Sequence, residues 1–184
     1  MPTTPKPYVG RFAPTPSGEM HFGSLVAALA SYLDARQAQG HWWLRIENLD
    51  PPREVVGAED AILRTLERYH LHWDGAVLHQ SDRQAAYADQ VAQWLQSGLA
   101  YACQCSRKSL EAYGEHYPGL CQSLMLAPSG NAIRLRVPSV IYRVNDRVQP
   151  AFEQNLAELG DFIIQRRDGY FAYQLAVVMD DILQ

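Results

Sequence analysis

The chain has 184 residues, 16 basic and 20 acidic, for a net charge of −4 at pH 7. With 47% hydrophobic and 20% charged residues it has the composition of one globular domain, or one domain with a small insert; a disordered chain, a collagen and a coiled coil are excluded. The acidic balance argues against a bulk nucleic-acid coat, no stretch approaches the ~20 consecutive apolar residues that span a bilayer, and residues 1–7, rich in proline, lack the apolar core of a secretory signal, so the cytoplasm is the expected compartment.

In chain order, Tyr8-Val9-Gly10-Arg11-Phe12 reads as a short strand, followed by a loop of Pro, Thr, Ser and Gly from Ala13 to Gly18. The spacing of Leu25, Leu29, Tyr32 and Leu33 predicts a helix opening near Gly23, and Gly40 fits its stop. Trp42 to Ile46 reads as a second strand, and Pro51-Pro52 breaks the chain after it. A second helix is expected over Ala58 to Tyr69, with Ile62, Leu63, Leu66 and Tyr69 on one face. Ser81 is a candidate cap for a third helix running to about Gln96, with Tyr87, Val91, Trp94 and Leu95 inward. Alternating strands and helices predict a right-handed parallel α/β unit. From Leu99 short strands are expected at Leu99–Gln104, Ile133–Val137, Val140–Val144 and Asp161–Arg166. The expected organisation is a nucleotide-binding domain over 8–98, an insert over 99–160, and a return to the first domain over 161–184. The last residues, Leu175 to Gln184, form an apolar segment without a closing turn and read as a chain cut in mid-fold.

The clustering of Cys103, Cys105 and Cys121 argues against disulfides and towards a metal; the bland alternative is three ordinary buried thiols. Three thiolates leave a fourth tetrahedral place for zinc, and residue chemistry alone points to His116. Of the basic residues, 14 are Arg and only Lys6 and Lys108 are Lys, which suits bidentate recognition of carboxylates or phosphates but also fits a GC-rich genome.

The chemistry concentrates in three pieces: Gly10-Arg11-Phe12-Ala13-Pro14-Thr15-Pro16-Ser17-Gly18, then His21-Phe22-Gly23-Ser24, then Arg45-Ile46-Glu47-Asn48-Leu49-Asp50. A strand that ends in a constrained loop and then a helix start is a place phosphates favour, because free N–H groups and a partial positive charge converge there. His21 can add a donor to a phosphate oxygen, and Gly23 leaves room for a base or ribose. Arg11 and Glu47, at the ends of adjacent strands, suit the opposite charges of an amino acid. Each piece alone is common; the order and spacing of all three is not.

Together these residues resemble the catalytic domain of class I glutamyl-type aminoacyl-tRNA synthetases. His21-Phe22-Gly23-Ser24 is similar to the HIGH signature, with Ser24 in the last position as in the glutamyl branch, and Asp161 to Gly169 followed by Phe171 to Val178 resembles the same branch. Asp50-Pro51-Pro52-Arg53-Glu54 and Cys103-x-Cys105 with Tyr117 and Cys121 resemble the glutamyl-Q tRNA(Asp) synthetases, its short paralogues. The resemblance implies a Rossmann-like α/β catalytic domain with a small zinc-binding α+β insert. It implies activation of L-glutamate by ATP with Mg²⁺, and transfer of the glutamyl group to queuosine at the wobble position of tRNA(Asp). It assigns Arg11, Ala13 and Thr15 to the glutamate and nucleotide site, Glu47 to the substrate ammonium, Tyr173 to glutamate, and His21 and Gly23 to ATP and catalysis. It makes Tyr117, not His116, the fourth ligand of one structural Zn²⁺ with Cys103, Cys105 and Cys121. The departures are Asn48, where the family more often has Asp, and the lack within 184 residues of a second substrate-contacting Arg and a KMSKS-type lysine loop. Two other readings stay open: the N-terminal part of a discriminating glutamyl-tRNA synthetase, and a catalytically silent fragment that binds nucleotide, glutamate or tRNA, or only zinc. A generic Rossmann-like nucleotide binder accounts for neither the spacing nor the cysteines.

Overall fold

A computed structural model of the protein describes residues 7–114, 116–146 and 148–184; apart from Pro7, the proline-rich leader expected at residues 1–7 lies outside the described residues. The described chain forms two compact units: residues up to Ala85 together with Met179–Gln184, and Ala86–Val178.

In the first unit, strand β1 (Val9–Phe12) is followed by helix α1 (Phe22–Gln37), strand β2 (His41–Ile46), helix α2 (Ala58–Arg68) and the short strand β3 (Leu78–His79). The sheet order is β1-β2-β3, all parallel, with Arg11 opposite Trp43 and Ile46 opposite His79. Phe12, Ala28, Trp42, Leu44, Ile62 and Leu66 form the core, and burying each large aliphatic side chain contributes about 1.5–3 kcal/mol. Gly10 is required by close approach: a Cβ there would lie 2.9 Å from the Ala35 Cβ and 3.1 Å from the Ser31 carbonyl, so only glycine lets α1 settle on β1. Trp42 is locked by its indole N–H to Ser31 Oγ at 2.9 Å, and its backbone N–H donates to Asp74, which also accepts from Arg36.

The helix expected near Gly23 forms; of the residues that predict it, Leu25 and Tyr32 pack inward, while Leu29 and Leu33 join Phe22 and Val26 in an exposed stripe. Two expectations are corrected by the packing. Tyr69 is the C-cap of α2, past its last full turn, and is exposed. Ser81 does not cap the third helix; it sits in a 3₁₀ turn, Gln80–Arg83, and helix α3 begins after it (Gln84–Gln96).

The second unit carries most of α3, with Tyr87 and Val91 buried. Strand β4 (Ala100–Cys103) and strand β5 (Ala132–Leu135) are antiparallel. Between them lies the one-turn helix α4 (Arg107–Leu110), closed by a capping box in which Ser106 and Ser109 exchange hydrogen bonds. Strands β6 (Ile141–Val144) and β7 (Phe152–Asn155) pair with each other, helix α5 (Leu156–Leu159) comes next, and strand β8 (Phe162–Gln165) completes the order β4-β5-β8. The last helix, α6 (Tyr173–Leu183), starts among the residues of the second unit and ends among those of the first.

Candidate active site and metal centre

The loop after β1 is held down by backbone bonds to the residues just beyond β2. The Glu47 N–H donates to the Pro14 carbonyl and the Val55 N–H to the Pro16 carbonyl, both at 2.9 Å. This leaves a cavity of about 310 Å³ lined by Ala13, Thr15, His21 and Ser24 over a floor of Phe12 and Ile62. Three of the expected site residues, Ala13, Thr15 and His21, thus share one cavity.

His21 is the N-cap of α1: its Nδ1 accepts the Ser24 N–H at 3.1 Å, and Nε2 lies 3.1 Å from Ser24 Oγ. An Nδ1 that accepts leaves the ring proton on Nε2, which donates to Ser24 Oγ. Gly23 serves this arrangement, since a Cβ there would stand 3.1 Å from the imidazole Cε1. The neighbour that a side chain at position 23 would meet first is therefore His21 itself.

Arg11 and Glu47 belong to one charge network. Arg45 donates to Glu47 Oε1 at 3.0 Å and to Asp181 Oδ1 at 2.7 Å. Arg11 donates to the same Asp181 oxygen at 2.8 Å and, through Nε, to Gln184 Oε1 at 3.0 Å. Burial pushes the Glu47 carboxyl above its ordinary range, with Arg45 pulling the other way. Burial likewise lowers the Arg11 guanidinium, and Asp181 opposes it. For Arg45 burial is outweighed by the two carboxylate hydrogen bonds, and its pKa is raised. Asn48, where the family more often has Asp, exchanges two hydrogen bonds with Ser81 at 2.9 Å, one donated by its amide and one accepted. A carboxylate can only accept.

Tyr173 opens α6 in the second unit and is exposed.

The three cysteine sulfurs lie within 4.8 Å of one another. Cys105 Sγ is 3.5 Å from Cys121 Sγ, and Tyr117 Oη is 3.4 Å from Cys103 Sγ and 3.9 Å from Cys105 Sγ. Sulfurs on a tetrahedral zinc stand about 3.8 Å apart, given Zn–S bonds near 2.3 Å, so the donor set fits such an ion. The structure brings Tyr117 to the sulfurs, whereas His116 has its Nδ1 at 3.2 Å from the Glu158 carbonyl. Arg134, which sequence reasoning missed, is buried with its guanidinium 3.7 Å over the Tyr117 ring and its Nε 3.3 Å from Cys103 Sγ. Burial opposes the Cys103 thiolate, but hydrogen bonds with Tyr117 and Arg134 outweigh it and bring the pKa down to about 7. Cys105 goes up to about 11, through burial and its sulfur neighbours. The Tyr117 phenol is also raised, first by burial and then by Cys103. Asp161 anchors this unit, accepting from Tyr101, Gln122 and the Val137 N–H.

The sequence profile of tRNA synthetases class I (E and Q), catalytic domain, matches residues 8–184. The chain belongs to that family. Among individual class I synthetases, the glutamyl-Q tRNA(Asp) synthetase of Pseudomonas entomophila (strain L48) is 65% identical over 178 residues, covering 96% of this chain and 60% of that protein. That of Pseudomonas putida (strain KT2440) is 63% identical over 182 residues, covering 98% and 61%. The chain therefore spans about 60% of the length of the curated relatives it matches. A crystal structure of a glutamate tRNA ligase from Elizabethkingia meningosepticum in complex with its amino acid is similar, with a TM-score of 0.82 and 28% identity over 96% of this chain and 42% of that one. The α/β class I synthetase fold is thus established. Among the described residues no helix is long and apolar enough to cross a membrane.

Proposed function

We propose that this chain carries the glutamate-activating site of a glutamyl-Q tRNA(Asp) synthetase. The observation that carries the reading is the placement of Arg11 and Glu47, opposite charges linked through Asp181 and Arg45 in one network at the ends of two parallel strands. A zwitterionic amino acid with a second carboxylate needs that combination: a guanidinium for an anionic group and a carboxylate for the ammonium. The names of the most similar relatives support glutamate as the amino acid and queuosine-bearing tRNA(Asp) as the acceptor.

In this reading the α-carboxylate of glutamate attacks the α-phosphorus of ATP, supplied as its magnesium complex. A new P–O bond forms, and the bond to pyrophosphate breaks. A carboxylate is already a nucleophile, so no strong base is required; the protein aligns the reactants and stabilises developing charge. Glu47 holds the ammonium and Arg11 a carboxylate; Ala13, Thr15, His21 and Gly23 bound the nucleotide. Tyr173 is assigned to glutamate. A hydroxyl of queuosine then attacks the carbonyl carbon of the glutamyl-adenylate: a new C–O bond forms, the bond to AMP breaks, AMP leaves, and the hydroxyl proton passes to solvent.

Cys103, Cys105, Cys121 and Tyr117 would hold one Zn²⁺, which supplies a structural cross-link between the β4 end and the 117–121 segment. We read residues 99–160 as the insert that carries it, and the cytoplasm as the compartment.

The test is glutamate-dependent ATP–pyrophosphate exchange by this chain with no tRNA added. Exchange that Glu47→Ala abolishes is the expected result. Exchange that appears only when tRNA is added favours an ordinary glutamyl-tRNA synthetase. Absence of exchange and of glutamate binding in a folded sample refutes the reading.

A further inference from the structure

Two consecutive acids stand in the last turn of α6, and they do different things. Asp180 is fully buried and accepts from Gln80 Nε2 at 2.8 Å and Arg83 Nε at 3.1 Å. That ties the end of the helix to the 80–83 turn. Successive helical residues point about 100° apart, so the anchor on Asp180 fixes where Asp181 points. Asp181 faces the arginines: a single oxygen, Oδ1, accepts from Arg11 at 2.8 Å and from Arg45 at 2.7 Å.

We propose that Asp181 is a positioning residue of the amino-acid site, separating two guanidiniums so that Arg11 is presented to the substrate carboxylate while Arg45 stays on Glu47. This rests on the function proposed above. The physical need is plain. Arg11 and Arg45 share one acceptor atom, and two cations that close repel unless an anion stands between them. Glu47 cannot be that anion for Arg11 while it is paired with Arg45 and reserved for an ammonium. With Asp181 in place the four side chains sum to zero charge, and each arginine has a defined direction. Without it, Arg45 keeps, among the described residues, Glu47 as its carboxylate partner and pairs with it more tightly, in competition with the substrate ammonium. Arg11 loses the contact that sets its rotamer.

Asp181→Asn and Asp181→Glu in this chain test the assignment. Calorimetric titration with L-glutamate is run beside titration with ATP. Asp181→Asn is expected to weaken glutamate binding by about tenfold or more while ATP affinity stays within about twofold. Asp181→Glu, which keeps the charge, is expected to recover part of the loss. A purely structural role would lower the melting temperature and weaken both ligands alike. If the unaltered chain binds no glutamate, the amino-acid-site reading falls and the role of Asp181 with it. If the unaltered chain binds and Asp181→Asn binds equally well, or loses both ligands in parallel, only the role of Asp181 is overturned. Should Asp181→Asn fail to fold, Asp181→Glu decides: selective weakening of glutamate sustains the proposal, and unchanged binding overturns it.

Discussion

Replacing Arg45 by methionine removes the centre of the charge network while keeping its bulk. Arg45 is 2% exposed and its partner Glu47 7%. Removing one member of a buried pair commonly costs about 3–5 kcal/mol, because the other charge stays desolvated. Two features reduce that figure here. The Arg45 Nε has no hydrogen-bond partner among the described residues, so methionine relieves a penalty of about 1–3 kcal/mol. Glu47 can also take up a proton. Starting from an ordinary value of 4.5, protonation at pH 7 costs 1.36 kcal/mol for each of 2.5 pH units, about 3.4 kcal/mol, which caps the penalty. Asp181 is 45% exposed and regains water, so its lost pairing adds little. The expected net loss at pH 7 is about 1–2 kcal/mol.

The loss should depend on pH. In the variant, Glu47 has a folded-state pKa raised further above its unfolded value. The destabilisation is therefore full above the folded pKa and fades as pH falls towards 4.5. At pH 5 the cap is 1.36 kcal/mol times 0.5, about 0.7 kcal/mol, and the variant should match or exceed the parent. Urea unfolding monitored by tryptophan fluorescence measures this, since Trp42, Trp43 and Trp73 all lie in the first unit. The double variant Arg45→Met/Glu47→Gln should regain most of the loss. A loss of equal size at pH 5 and pH 7, or a double variant no more stable than the single, refutes the reasoning.

Glutamate binding should weaken as pH falls through the Glu47 carboxyl, beginning above the range of an ordinary glutamate because burial raises that group; calorimetry across pH, with Glu47→Gln as the reference that lacks this fall, checks it. His21→Ala should cost about 1 kcal/mol by removing the helix cap, whereas Gly23→Ala, which disturbs that cap but gains up to about 1 kcal/mol of helix propensity, should change stability little, and a double-mutant cycle in urea should find the two strongly non-additive, since the added methyl acts by displacing the imidazole. The isolated chain should carry one equivalent of zinc by elemental analysis, lost in Cys121→Ser and retained in His116→Ala, whose ring stands outside the group of three sulfurs. Chelation should lower the melting temperature; an ion that survives Cys121→Ser would place the metal elsewhere.

The features legible in the sequence were those that depend on local pattern. Strand, constrained loop and helix start succeed one another as residues 8–24 require, because proline and glycine act within a few residues and leave the chain few options. The helix faces were less legible. Leu29 and Leu33 repeat at helical spacing just as core residues do, yet they are exposed, since periodicity marks an apolar stripe and not what covers it. The candidate site divides along the same line. Arg11, Glu47, His21 and the cysteines stand in recognisable spacings. Asp181, Arg45 and Arg134 act across the fold: Asp181 meets Arg11 from 170 positions away, and Arg134 meets Cys103 from 31. An arginine inside a buried strand was the one available signal for Arg45 and Arg134, because such a charge is kept only where the fold brings it acceptors. It marks that a partner exists; only the folded chain says that for Arg45 the partners are two carboxylates, and for Arg134 a thiol and a backbone carbonyl.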